Sequence, residues 1–177
     1  MTECQLAAAE ICKLNRDLRL LIETNGTLTR ILRVLADEEI IVQIINQKIA
    51  PHAPEETKSR QLAGDRILQR HVLLKGRNSG RQFVAAESLV AVDLLPLAIT
   101  ASLTETDCPI GEIMAAGRLE TFKEPAAVWI GETPDWLAVE GYRTPRPRTV
   151  GRRYRIISGG RPVIIINEYF LESLASA

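Results

Sequence analysis

The sequence predicts an α+β domain in which an antiparallel sheet carries helices on one side. Three observations lead there. Residues 4–35 follow a helical period. Two pairs of β-rich runs are each joined by a glycine-bearing turn, at 76–80 and at 158–161, and hairpins make antiparallel neighbours. No strand–helix–strand series of the kind that builds a parallel sheet can be traced.

Residues 4–23 read as one helix, because Leu6, Ile11, Leu14, Leu18, Leu21 and Ile22 fall on an approximate helical stripe. Asn25-Gly26 stops it, since glycine accepts the left-handed conformation past a helix end. A second, short helix begins near Thr27 and carries Leu28, Ile31, Leu32 and Leu35. Residues 40–49 are rich in β-branched side chains and read as a strand. Pro51-His52-Ala53-Pro54 breaks it, and 55–62 is either a short helix or a loop. Residues 66–75 and 81–92 form the first hairpin, around Gly76-Arg77-Asn78-Ser79-Gly80. Residues 94–116 hold two short helices, the second starting near Cys108-Pro109-Ile110-Gly111, where proline suits the first turn. Strand-like sequence returns at 119–130, and 131–147, with Trp136 and three prolines, is irregular. The clearest hairpin comes last, 152–157 and 163–170 flanking Ser158-Gly159-Gly160-Arg161.

A chain of 177 residues suits a single domain spanning 1–177, and 46% hydrophobic with 25% charged residues is a globular balance. The formal net charge is zero, so no overall field draws it to nucleic acid or an anionic membrane. Its longest apolar stretches, 40–45 (interrupted by Gln43) and 163–166, fall far short of the roughly 20 residues that cross a bilayer. The N-terminus lacks the basic start and apolar core of a signal peptide. Cys4, Cys12 and Cys108 form neither a Cys-x-x-Cys pair nor an even set, so a reducing cytoplasm is the expected compartment.

Strand alternation supplies the sharpest chemical clue. On 66–75 one face carries Leu68, Arg70, Val72 and Leu74, so Arg70 lies among apolar neighbours, while His71 points the other way. On the last strand Glu168 shares its face with Ile164, Ile166 and Phe170. If both faces turn inward, each charge needs a partner, because an unpaired buried charge costs several kcal/mol. A buried ion pair, or a terminal glutamate reaching solvent, meets that need without catalysis, and on periodicity alone this plain reading ranks first. Arg143, Arg146, Arg148, Arg152, Arg153 and Arg155 form a basic cluster. For most of them a solvated loop and a charge-protected edge strand is the favoured reading, with a funnel for a small polyanion as the more specific one. His52 and His71, the only histidines, have no zinc-ligand spacing, and Ser79 is a turn residue with no base nearby in sequence. Gly-x-Ser-x-Gly, phosphate-loop and dinucleotide fingerprints are absent.

Taken in order, Leu28 after an N-terminal helix, Leu68-Gln69-Arg70-His71-Val72-Leu73-Leu74, Cys108-Pro109-Ile110-Gly111, Gly151-Arg152-Arg153-Tyr154-Arg155 and Asn167-Glu168-Tyr169-Phe170-Leu171 resemble chorismate lyase. The resemblance runs from about residue 15 to 172. It implies a sheet of about six strands with helical flaps closing over a buried ligand. The activity it implies is elimination of pyruvate from chorismate to give 4-hydroxybenzoate, with no metal or organic cofactor. Arg70 would bind the ring carboxylate, the Ile110 N–H would add a donor at a helix start, and Leu28 would pack at the small-hydrophobe position of the first flap. Glu168 would contact the product hydroxyl and serve the proton transfer as base, as acid or as an orienting hydrogen-bond acceptor, three roles that the sequence leaves open. Some family members carry an arginine in the strand where this chain has Glu87, so Arg155 or another C-terminal arginine is the expected partner of the second carboxylate. Glu168 also stands one residue farther from Pro162 than in the best-known members, and a bulge must absorb the slip if its face is to be kept.

Two other readings compete. A non-catalytic effector-binding domain of the same fold, as in some winged-helix regulators, would bind a small aromatic or carboxylate ligand, but only a helix or two precedes the first strand here. A lyase acting on a different cyclohexadiene or aromatic carboxylate would need no change of fold. All three take a small-molecule partner rather than nucleic acid or a membrane.

Overall fold

A computed structural model describes residues 4–51, 61–140 and 147–171. Among these described residues eight strands form one antiparallel sheet. Six of them are long: β2 (Ile40–Pro51), β3 (Arg66–Gly76), β4 (Gln82–Ala91), β6 (Ala127–Glu132), β7 (Arg148–Ser158) and β8 (Arg161–Phe170). β1 (Cys4–Gln5) and β5 (Phe122–Lys123) are two-residue additions, which reconciles eight strands with the expected six. The order across the sheet is β1-β6-β7-β8-β4-β3-β2, with β5 also pairing with β7.

Where elements depart from expectation the causes are local. The stretch 4–23 divides into β1, α1 (Ala8–Ile11) and α2 (Arg16–Glu23) instead of one helix. Asn15 starts α2 afresh by accepting a hydrogen bond from the Leu18 N–H at 2.7 Å. Cys4 and Gln5 meanwhile pair with Ile130 and Trp129 at the sheet edge. The strand expected at 119–130 is cut in two, with Pro125 between the pieces; β5 and β6 lie end to end along the same side of β7. β7 starts earlier than expected, at Arg148, and part of the irregular segment forms a 3-10 turn over Asp135–Glu140. β2 runs on through Pro51 instead of stopping before it, while α3 (Leu28–Ala36), α4 (Leu97–Glu105) and α5 (Ile110–Ala116) sit where helices are expected. The last hairpin turns through Gly159 and Gly160, both at positive φ (56° and 74°), a geometry that glycine adopts without strain. His52 and the helix-or-loop segment fall largely outside the described residues.

The helices cover one face of the sheet. Leu18, Leu21, Ile22, Leu28 and Leu32 pack with Val72, Leu74, Val84 and Phe170. Ile99, Leu103, Ile113 and Met114 pack with Leu68, Val90, Ile164 and Ile166. The opposite face is closed in part by Leu137 and by Trp136, whose ring stacks on His71 at 4.6 Å. From Val163 to Phe170 every residue of β8 is therefore buried, on both faces of the sheet. A β-bulge lies where β7 pairs with β8, Ile156 opposite Ile164 and Ile157 opposite Pro162. Val163 is the extra residue, and it carries the slip that the position of Pro162 demanded.

Candidate active site

A cavity of about 290 Å³ lies between the sheet and the two helical pairs. Its floor is built from the strand faces that alternation picked out: Arg70, Val72 and Leu74 of β3, Ala86 and Ser88 of β4, Ile166 and Glu168 of β8. Its roof comes from Leu28 at the start of α3 and Ile110, Gly111 and Met114 of α5. The roof halves touch. Arg30 of α3 donates from Nε and Nη2 to Glu112 of α5, at 2.8 and 2.7 Å. Gly111 lies so close to Thr27 that an added Cβ would come within 3.0 Å of the threonine methyl. These are helical flaps over a partly open, mostly apolar space, the form of a small-molecule site.

Arg70 and Glu168 both face this space, but they do not pair with each other. Arg70 is 1% exposed and donates from Nη1 to the Cys108 carbonyl and from Nη2 to the Thr106 carbonyl, each at 3.1 Å. Its buried Nε has no partner among the described residues, and no carboxylate there forms an ion pair with it. Burial lowers its pKa, against the pull of nearby Asp107 and Cys108. A guanidinium so placed has no described carboxylate bonded to it, and Asp107 nearby offsets its desolvation only in part. An anion entering the cavity would supply the rest.

Glu168 is 4% exposed, which removes the solvent-reaching alternative. Register places it directly opposite Arg152 and diagonal to Tyr154 on β7. Arg152 donates from Nε to Oε2 at 2.5 Å, and the Tyr154 hydroxyl donates to Oε1 at 2.8 Å. Burial and the adjacent carboxylate push the Tyr154 hydroxyl well above the ordinary tyrosine range, so it stays a neutral donor. Arg152 is fully buried, and its Nη1 reaches the carbonyls of Leu21, Ile22 and Thr24 at the end of α2. It is neither solvated nor on an edge strand: β7 is paired on both sides, a correction to the plain reading of the basic cluster. Arg143 and Arg146 lie outside the described residues.

Arg155 is also corrected. It points away from the cavity and holds Glu124 through Nε and Nη2, at 2.5 and 2.9 Å, with a third of its side chain in solvent. Arg155→Ala should leave kcat/KM for the substrate within about twofold of wild type, the usual consequence of losing an exposed ion pair; steady-state kinetics will check it. Alternation contains this answer, since Arg152, Tyr154 and Ile156 share one face of β7 and Arg153 and Arg155 the other. Lys123 gave no such signal. It lines the cavity from a strand of two residues, too short to show a period. Glu87, on the far face, is buried beside Gln69, His71 and Asn167 and does not touch the cavity.

The sequence of residues 22–177 matches the family model described as "Chorismate pyruvate-lyase Rv2949c-like". A chorismate pyruvate-lyase of Mycobacterium tuberculosis is 55% identical over 177 residues, covering 98% of this chain and 89% of that protein. One of Mycobacterium leprae is 60% identical over 174 residues, covering 98% and 83%. The chain belongs to the Rv2949c-like chorismate pyruvate-lyase family.

Solved structures show that this lyase-family fold is shared with regulators. PhnF of Mycobacterium smegmatis superposes with a TM-score of 0.64 at 10% identity, over 85% of this chain and 66% of that one. A GntR-family regulator of Bacillus cereus gives 0.59 at 14% identity, over 77% and 94%. At such identities only the fold is common; the near-full-length lyase relatives favour the enzyme over the effector-binding reading. Among the described residues of this lyase-family chain no helix is long and apolar enough to cross a membrane, and no group of three or more His, Cys, Asp or Glu could hold a metal.

Proposed function

We propose that the chain is a chorismate lyase, a single domain working in the cytoplasm, that eliminates pyruvate from chorismate and leaves 4-hydroxybenzoate. One observation carries the proposal beyond kinship: a buried cation that no described carboxylate pairs with directly faces a buried carboxylate across an apolar cavity. Chorismate is a cyclohexadiene with a carboxylate at C1 and, para to it at C4, the hydroxyl that survives in the product. Arg70 takes the C1 carboxylate, helped by the N–H of Ile110, which opens α5 where amides lack intrahelical acceptors. Leu28 packs on the ring from the first flap. Glu168, the sole carboxylate among the described lining residues, meets the C4 end.

The reaction asks little of the protein beyond placement. The C4–H bond gives its electron pair to the ring, the C3–O bond breaks, and the ring becomes aromatic. Glu168 takes the C4 proton, and the departing enolpyruvate takes one proton in becoming pyruvate. Arg152 and Tyr154 fix the carboxylate's orientation, so its position is set before substrate arrives. The free thiols Cys4, Cys12 and Cys108 suit a reducing compartment, and a small-molecule substrate calls for no macromolecular partner.

Purified protein incubated with chorismate, with no metal added, is expected to form 4-hydroxybenzoate and pyruvate in equal amounts, read by chromatography and a pyruvate-coupled assay. Unchanged chorismate, together with tight binding of an aromatic carboxylate, would reject the enzyme in favour of a sensor.

A further inference from the structure

The reading above, on which this inference rests, gives chorismate's C1 carboxylate a partner and leaves its enolpyruvyl carboxylate without one. Arg155 is outside the cavity. The second carboxylate hangs from C3, beside C4, on an ether arm that reaches away from the ring, so its partner is a cation near Glu168 other than Arg70. The sheet supplies one. Across it run β3 with Arg70, β4, β8 with Glu168, β7 with Arg152 and Tyr154, and β5 with Lys123. Adjacent strands stand about 4.8 Å apart, so Arg70 and Lys123 flank Glu168 at two strands' distance each, on opposite sides. One cation thus stands on either side of Glu168 across the sheet, and the substrate carries two carboxylates, one on C1 and one on the C3 ether arm.

Lys123 is a built part of this wall. Its Nζ donates to the Thr24 carbonyl at 3.2 Å and rests 3.9 Å from the centre of the Tyr154 ring. No carboxylate among the described residues forms an ion pair with it. Lys123 and Asn25 also line a second cavity of about 300 Å³, walled in part by Glu23, Glu124 and Arg152, so there is room beside the ammonium for a three-carbon acid.

We propose that the Lys123 ammonium is the second-carboxylate partner, binding the enolpyruvyl carboxylate of the bound substrate and the α-keto acid as it departs. The positive charge sits where electrons collect as the C3–O bond breaks. The groups around it are Arg152 and Tyr154 from β7, Glu168 from β8, Glu23 at the end of α2 and Glu124 beside it. Burial, followed by the Arg152 charge, lowers its pKa to about 8 against the pull of Glu168. The ammonium is therefore charged at neutral pH and is lost as pH rises through that value.

Lys123→Met preserves apolar contact and removes the charge. The variant should lose about 10–100-fold in kcat/KM for chorismate while its affinity for 4-hydroxybenzoate, which has one carboxylate, stays within about twofold of wild type. Lys123→Arg should recover part of the loss. If the methionine variant does not fold, wild type and Lys123→Arg still decide. In wild type the KM for chorismate should climb above about pH 8 while 4-hydroxybenzoate binding stays flat, and in the arginine variant that climb should move to higher pH. Unchanged kcat/KM in Lys123→Met, equal weakening of both ligands, or a KM that is flat with pH would overturn the assignment. If wild type itself does not turn over chorismate, it is the enzyme reading that falls.

Discussion

Arg70→Met is expected to lower kcat/KM for chorismate by about 10²–10³-fold while leaving the thermal midpoint within a few degrees of wild type. Losing one partner of a buried, hydrogen-bonded charge pair costs about 2–5 kcal/mol, and each 1.36 kcal/mol is tenfold in rate. The ligand's carboxylate would enter the cavity and find no guanidinium. Stability responds differently, because the native fold holds this cation on two backbone carbonyls, with no described carboxylate in a direct ion pair. Methionine removes a desolvated charge, which favours folding, and strips two loop carbonyls of a donor, which opposes it. The two effects offset each other in sign. Kinetics paired with a thermal melt will test this: full activity would remove Arg70 from the site, and a collapsed midpoint would make it structural.

Glu168→Gln should behave in the opposite way on stability. Turnover is expected to fall by about 10²–10⁴-fold, the range for losing a positioned proton acceptor, with KM much less affected. Glutamine fits the space and can still accept from Tyr154, but it leaves the Arg152 guanidinium fully buried with no opposing charge. Breaking a buried pair costs about 3–5 kcal/mol. In a chain of this size that is a midpoint drop on the order of 10 °C. Adding Arg152→Met to Glu168→Gln should return much of the midpoint and none of the turnover, because the pair can be replaced by apolar groups where its half cannot. A Glu168→Gln enzyme with wild-type kcat would exclude Glu168 from the chemistry.

Much of this was legible in the sequence, and the reasons are specific. Alternation put Arg70 and Glu168 on the faces that became the cavity floor, because side-chain direction on a strand follows from chain geometry alone. The glycine pair at 159–160 marked the last hairpin, since its turn needs two residues at positive φ. What sequence could not reveal was pairing between distant strands. The partnership of Arg152 with Glu168 is fixed by register, and the basic run around Arg152 reads as surface until β7 is known to be interior. Arg155 was chosen for its charge against the alternation that placed it on the wrong face. The single helix expected at 4–23 failed because an apolar stripe does not show where a capping asparagine restarts the turn, and Lys123 sits on a strand too short for any pattern.

β8 is the last of the described strands to be synthesised, yet it lies in the middle of the sheet, zipped between β7 and β4. On the ribosome, the meander of β2, β3 and β4 must wait with one edge of β4 open until the final hairpin emerges. The end of α2 waits as well, its carbonyls held by an arginine some 130 residues downstream. Such remote pairings slow folding into the millisecond-to-second range and expose an unpaired edge meanwhile. The closing strand also delivers Glu168, so a nascent chain acquires its proposed proton acceptor in the same step that completes its architecture.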